Sequence, residues 1–325
     1  MKPGERGAAL LTVLMLVSVM AVLSASALER LRLSTRLAAN AGAIDQARAY
    51  AVAAEGIALS RITALVEADP ARTAAPEQWN GRETALPLPG GTASAVVGDG
   101  GNCFNLNSLV VGQAGEPLMT RPQGIAQLVA LMKLLGIGEG EARKVAVSLA
   151  DWIDSDLQPQ PEGAEDQAYA GAEIPYRTGN TLLAHPSELR AVAGVTPDIY
   201  EKLRPWVCTL PVTDLSPINV NTLRPEQAIL LSMLMPDTLS PDRARALLLA
   251  RPAGGYESAY AFWRNSALQG VAPGPDVEAQ TGVRTRWFTL QLRVQLGDSE
   301  VNETALIDAG LPPAKLVRRS WGEGD

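Results

Sequence analysis

The chain has 325 residues, 46% hydrophobic and 19% charged, with a formal net charge of −7. That composition excludes wholesale disorder, and the length allows two or three packed units. The acidic balance argues against a sequence-independent grip on DNA, which needs a basic surface. Scarce aromatics (5%) with 29 Gly and 23 Pro favour many short elements over one large sheet.

Lys2 and Arg6 precede an uncharged run from Ala8 to Leu28. As a helix this run is about 30 Å long, enough to cross a bilayer core and longer than a secretory h-region. The cations would stay on the cytoplasmic side, with the body across the membrane. The Ala, Leu and Arg text beyond Leu28 contains no Pro and predicts one helix from about Ala8 to Val66; the competing reading is a generic single-pass anchor followed by a separate helix. Leu31, Leu37, Ile44, Tyr50, Ile57 and Ile62 form its expected apolar stripe.

TASAVVGDGGNCFNLNSL alternates polar and apolar residues around a Gly-rich turn and is the first strand candidate. PQGIAQLVALMKLLGIGEGEARKVAVSLADWI predicts two helices joined by Gly136-Ile137-Gly138, and HPSELRAVAGVTPDIYEKLRPWV two more, broken near Gly194. LRPEQAILLSMLM and SPDRARALLLA predict a further helix pair. RTRWFTLQLRVQL alternates strongly, with SEVNETALIDAG as its pairing strand. A helix, a strand, helical hairpins and closing strands predict an α+β unit interrupted by a helical insert.

The strongest chemical signal is DWIDSDLQPQPEGAEDQAY. Seven carboxylates and no Lys or Arg lie between Asp151 and Glu173. Asp154, Asp156, Glu165 and Asp166 are the candidate ligands, with Asp151 a further candidate. Glu165 lies eleven positions after Asp154, as the last EF-hand ligand follows the first, but the sixth position is Pro159, where that loop needs Gly. Hard oxygen donors without histidine point to a non-EF-hand calcium site, with magnesium as the alternative ion and zinc excluded. The competing reading is a solvated acidic loop that holds no ion.

Cys103 and Cys208 have no zinc-site spacing. They would be bridged in an exported body and free thiols in a cytosolic one. His185, the lone histidine, precedes Pro186 and a helix, with Pro186 or Ser187 expected near the cap. There is no nucleophile elbow, P-loop or dinucleotide fingerprint, so no enzymatic activity is expected.

Gly7 before an uncharged helix resembles the type IV pilin signal, which prepilin peptidase cuts after the glycine. The resemblance implies cleavage between Gly7 and Ala8, methylation of the mature chain, and retention of the helix. Most pilins carry a glutamate at the fifth mature position, which here is Thr12. That departure, with CFNLNSL, DWIDSD, GAEDQAY, HPSELRAV and SPINVNT in order, resembles the minor pseudopilin K family of the type II secretion system.

The resemblance implies a pseudopilin fold (a long N-terminal helix plus a small antiparallel sheet) with a large inserted α-helical domain of hairpin or SAM-like units. The expected divisions are a leader at 1–7, the helix at 8–66 (transmembrane about 8–28), pseudopilin text at 67–112, a helical domain at 113–207, a second helical unit at 208–282, and closing strands at 283–325. Implied partners are minor pseudopilins I and J, other pseudopilins, prepilin peptidase and the inner-membrane assembly platform. Implied too are calcium in the helical domain, a single-pass inner-membrane anchor, a periplasmic body, and hence a Cys103–Cys208 disulfide. Thr12 would mark the subunit that starts the fibre at its tip.

SPINVNTLRPEQ also resembles helix–hairpin–helix DNA-binding text, whose hairpin amides meet phosphates. Here Glu139 and Glu141 follow the Gly-Ile-Gly turn, and the second hairpin, MPDTLSPD, carries two aspartates. Both would repel a phosphate backbone, so no nucleic-acid partner is expected. A membrane-anchored DNA-binding protein and a generic anchored periplasmic binding protein are the alternatives.

Overall fold

The computed structural model describes residues 3–73, 76–113, 115–171 and 173–322; for residues 3–9 and Pro76 the backbone alone is described. A single helix, α1 (Pro3–Ala68), opens the chain. A five-stranded sheet follows, formed by β1 (Glu83–Leu88), β2 (Gly91–Asp99), β3 (Trp287–Leu296), β4 (Ser299–Asp308) and β5 (Lys315–Trp321). The strands lie in chain order and every neighbouring pair is antiparallel. Gly297, with φ +58, makes the tight β3–β4 turn, a conformation that L side chains resist.

One face of the sheet packs on α1. Alternate residues Phe288, Leu290, Leu292 and Val294 of β3 point at the helix, as do Val301, Ala305 and Ile307 of β4. The helix meets them with Ala47, Ala51, Ala54, Ala58, Ile62 and Val66. This corrects the expected stripe. Only Ile62 lies in the contact, Ile44 and Tyr50 border it, and Leu31, Leu37 and Ile57 are 64%, 61% and 50% exposed. A spacing near seven drifts around a straight helix by about 20° per heptad, and small side chains let the helix lie close to the sheet.

The sheet is interrupted once, between Asp99 and Trp287, where a boundary near residue 112 was expected. β2 ends at Asp99, and the following Gly-Gly turn leads out of the sheet. Phe104–Asn105 therefore pairs with Val207–Cys208 inside the insert and does not continue the strand candidate. Asp99 fixes this junction by accepting from the amides of Gly101 and Asn102 and from the hydroxyls of Thr222 and Thr285. β1 and β5, the two edge strands, were not anticipated from the sequence.

The insert consists of two units built alike. In the first, Phe104–Asn105 pairs in parallel with Val207–Cys208, and helices α2 (Pro122–Leu134) and α3 (Glu139–Ile153) form a hairpin. In the second, Ile218–Asn219 pairs in parallel with Thr281–Gly282, followed by helices at Ala228–Ser232 and Pro241–Leu249. Each unit contains an Asn-x-Asn whose second asparagine brackets one distant residue. Asn107 accepts from the Leu183 amide (2.8 Å) and donates to its carbonyl (3.0 Å). Asn221 does the same to Tyr256, at 2.7 and 2.9 Å. Asn107 and Asn221 are fully buried, which is tolerated because their amides replace main-chain partners.

The turn between α2 and α3 falls at Gly136-Ile137-Gly138, as the sequence predicts. Gly136 has φ +78, Ile137 is buried, and Lys133 pairs with Glu139 across the turn at 2.9 Å. The hairpin thus turns its middle residue inward and closes with a salt bridge. The structure joins Cys103 to Cys208 beside the first parallel pairing, linking the two ends of the first unit.

Candidate cation site

The acidic loop leaves the C-terminal end of α3, which is enclosed: Ser148 to Asp154 are all buried. Helical spacing therefore carries Asp151 and Asp154 into the protein interior, at 0% and 1% exposure. Burying carboxylates is costly unless they are neutralised or paired.

Asp154, at the C-cap, accepts from the Thr120 hydroxyl at 2.7 Å through Oδ2, while its buried Oδ1 has no hydrogen-bond partner among the described residues. Glu165 is buried too. Its Oε2 is 3.3 Å from the Thr178 hydroxyl, and its Oε1 is also without a partner. Asp156 is exposed and accepts from the Gln158 amide at 2.8 Å. One carboxylate oxygen from each of these three residues lies within 4.8 Å of the other two.

The remaining two candidates are engaged differently. Asp166 accepts from the amide (3.0 Å) and hydroxyl (2.9 Å) of Thr178 and lies 3.8 Å from Arg177. Asp151 accepts from the Gln160 amide, 3.2 Å from each oxygen. The loop passes so close to Asp151 that a Cβ on Gly163 would overlap its carboxylate, so only glycine fits there. The structure thus brings together Asp154, Asp156 and Glu165, with Asp151 beneath them as a further negative charge.

The electrostatics follow from this crowding. Burial, then repulsion by Asp156 and Asp151, pushes the Asp154 carboxyl up to about 6 against the Thr120 hydrogen bond. Burial, then Asp154 and Asp151, pushes Glu165 up to about 7. Burial also raises Asp151. Two buried, unpartnered carboxylate oxygens facing a third acid, in an all-oxygen donor set, fit a hard divalent cation such as calcium.

Thr120 and Thr178 orient the candidate ligating acids, and neither was anticipated. Thr120 is remote in sequence, and Thr178 lies beyond the acidic text. The loop is also pinned through aromatic rings. Tyr169 lies 5.2 Å from Trp152 and 5.1 Å from Tyr176, accepts from the Ala193 amide, and Tyr176 donates to the Ala191 carbonyl. His185 is itself the cap of the helical turn Pro186–Ala191, with Pro186 and Ser187 directly beside it, as the sequence predicts. Its Nδ1 accepts from the Ser187 amide, and Glu188 reaches back to the His185 amide.

At the other end of the chain, the Gly7–Ala8 bond lies in the backbone of α1, and Thr12 lies on its exposed surface. By length and composition α1 can cross a membrane, and none of its apolar N-terminal window is buried among the described residues.

Two sequence profiles of the family described as Type II secretion system (T2SS), protein K, match residues 102–212 and 218–284, which correspond to the two units of the insert. The chain is similar to type II secretion system protein K of Pectobacterium carotovorum subsp. carotovorum, with 33% identity over 99% of this chain and 98% of that one. The protein K of Aeromonas hydrophila is 34% identical, covering 98% of both chains. A chain in the crystal structure of the GspK-GspI-GspJ complex from enterotoxigenic Escherichia coli superposes with a TM-score of 0.75 at 30% identity, over 86% of this chain and 97% of that one. With matched identity along nearly the whole length and the same fold, this chain belongs to the type II secretion system protein K family.

Proposed function

We propose that this protein is a minor pseudopilin that sits at the tip of the periplasmic pseudopilus, initiates its assembly and so supports export of folded proteins. The observation that carries this reading is the architecture: a membrane-length helix, a small sheet packed on its distal half, and a bulky helical insert projecting from that sheet. A chain so shaped can pack its helix among other pseudopilin helices, while the insert obstructs addition of a further subunit above it. The complex named for the structural neighbour supports pseudopilins I and J as its partners.

In this reading α1 is an inner-membrane anchor until assembly, the body is periplasmic, and prepilin peptidase cuts between Gly7 and Ala8. A glutamate at the fifth mature position would neutralise the N-terminal ammonium of a preceding subunit, which is costly to bury alone. Thr12 cannot do so, and the first subunit has no predecessor. Asp154, Asp156 and Glu165 would hold calcium, with Asp151 adding charge from behind. Calcium supplies the positive charge that lets these acids stay ionised together. Thr120 and Thr178 hold Asp154 and Glu165 in place, and the tyrosines fix the rest of the loop.

N-terminal sequencing of the membrane-bound protein tests the pilin reading. A mature chain beginning at Ala8 is expected; an intact Met1, or a cut beyond the apolar run, would sink it.

A further inference from the structure

Between the second face of the sheet and the insert lies a cleft of about 430 Å³. Its floor is formed by outward-facing residues of three strands, among them Gln291, Thr304, Arg318 and Ser320. Its roof is the edge of the first insert unit, including His185 and Thr209. The chain carries 35 acidic residues and a net charge of −7, yet none of those acids lines this cleft among the described residues. An arginine and a histidine stand there among neutral polar and apolar groups.

Arg318 is oriented by hydrogen bonds and has no ion-pair partner among the described residues. Its Nη1 donates to the carbonyls of Ala184 and Thr209 and to the Thr209 hydroxyl. Those bonds fix the guanidinium plane but leave Nη2 and Nε out of the set. No carboxylate among the described residues forms an ion pair with it. The acid that acts on it from a distance, Glu188, is committed to the amides of Ala184 and His185. Burial pulls the Arg318 group below its usual range against the attraction of Glu188. A guanidinium held through one nitrogen offers its remaining fork to a carboxylate, the geometry of the strongest charge-assisted pairs.

We infer that this cleft is a docking site for an acidic, extended peptide segment of a protein partner, with a partner carboxylate on Arg318 and its neighbouring groups on Gln291, Thr304 and Ser320. A peptide is favoured over a small anion because the cleft is far larger than one carboxylate, carries Leu210 and Leu306 among its walls, and runs beside β5, an edge strand paired on one side alone. The inference depends neither on the cation site nor on a position at the fibre tip.

His185 is the sole histidine, so its ring signal in an NMR spectrum of the detergent-solubilised full chain is a single-site reporter of the cleft. The probes are an octapeptide rich in Asp and Glu, its Asn and Gln counterpart, and inorganic phosphate. The acidic peptide is expected to shift the His185 signal saturably, with affinity that falls as salt rises; the amide peptide and phosphate are expected to do so at least about tenfold more weakly. Arg318→Gln should abolish the shift. Because Arg318 also ties the insert to the sheet, the exposed Ser320→Glu provides a second variant that adds a competing carboxylate without removing that tie, and it should weaken binding by about tenfold or more. No shift with the acidic peptide, equal binding of the amide peptide or phosphate, or unchanged affinity in Ser320→Glu would each overturn the inference.

Discussion

At the scale of single residues, the fold carries two places where acids are forced together. The first is between α1 and the sheet. Glu55 and Glu303 are both buried, and Arg319 is their shared cation, bidentate to Glu55 at 2.8 Å and 3.5 Å from Glu303. One guanidinium cannot neutralise two carboxylates. Burial, and then Glu55, therefore push Glu303 up to about 7. An acid whose folded value is raised binds its proton more tightly when folded, so its stabilising effect is full below the unfolded value and fades as pH rises towards 7. Glu303→Gln, which keeps the shape and removes the titration, is expected to stabilise the protein by about 2 kcal/mol at pH 8 and to change little at pH 4.5. Urea unfolding at the two pH values checks this; equal effects at both would show that Glu303 does not hold the proton.

The cation site gives the second residue-scale prediction. Without calcium, raised values at Asp154 and Glu165 mean that a chelated protein loses stability as pH rises through about 6 to 7. With calcium the dependence reverses, because protons compete for the same oxygens and binding weakens as pH falls through that window. Glu165→Gln should remove the calcium-induced rise in melting temperature and, in chelator at pH 8, raise the melting temperature above that of the parent chain. A variant that merely damages the fold would lower it in both conditions, so scanning calorimetry with and without chelator distinguishes the two.

At the scale of elements, the insert is one plan used twice and modified once. A two-stranded parallel clasp, an Asn-x-Asn and a helical hairpin recur, and the second asparagine of each unit fastens the segment that follows the hairpin. In the second unit only a short turn separates the hairpin from Tyr256. In the first unit the acidic loop fills the interval between Ile153 and Leu183. The candidate cation site therefore lies in a stretch that the second unit does not have between its hairpin and its bracketed residue. Asn221→Ala is expected to cost about 2–4 kcal/mol, since it leaves both main-chain groups of Tyr256 unpaired in the interior. Asn107→Ala should cost a similar amount. In the full chain the loss would appear as hydrogen exchange localised to the affected unit, and a uniform increase across both units would contradict independent clasps.

At the scale of the whole molecule, a long helix and a sheet hold an insert that is larger than the sheet itself. Asp99 and the Thr222 and Thr285 hydroxyls join the two where the chain leaves and returns. The proposed position of this body in a fibre is the least local of its properties. If Thr12 sets that position, Thr12→Glu should let the protein enter the fibre away from the tip and reduce secretion. Unchanged secretion and unchanged labelling of the tip would show that Thr12 is not what specifies the proposed position.

The sequence by itself determined the membrane-length helix, the hairpins, the alternating closing strands and the concentration of acids after α3, because each is a local pattern of charge or hydrophobicity. Motifs such as CFNLNSL and SPINVNT were legible as family text, but their work was not: their asparagines act through bonds to residues far along the chain. Only the tertiary structure decided that alanines, and not the larger apolar residues, form the buried face of α1, since that depends on how closely a sheet approaches. It also decided that Asp154, Asp156 and Glu165 converge while Asp166 turns to Thr178, and that Thr120 joins them. Periodicity says which way a side chain leaves its own element; which distant element it meets is set by packing.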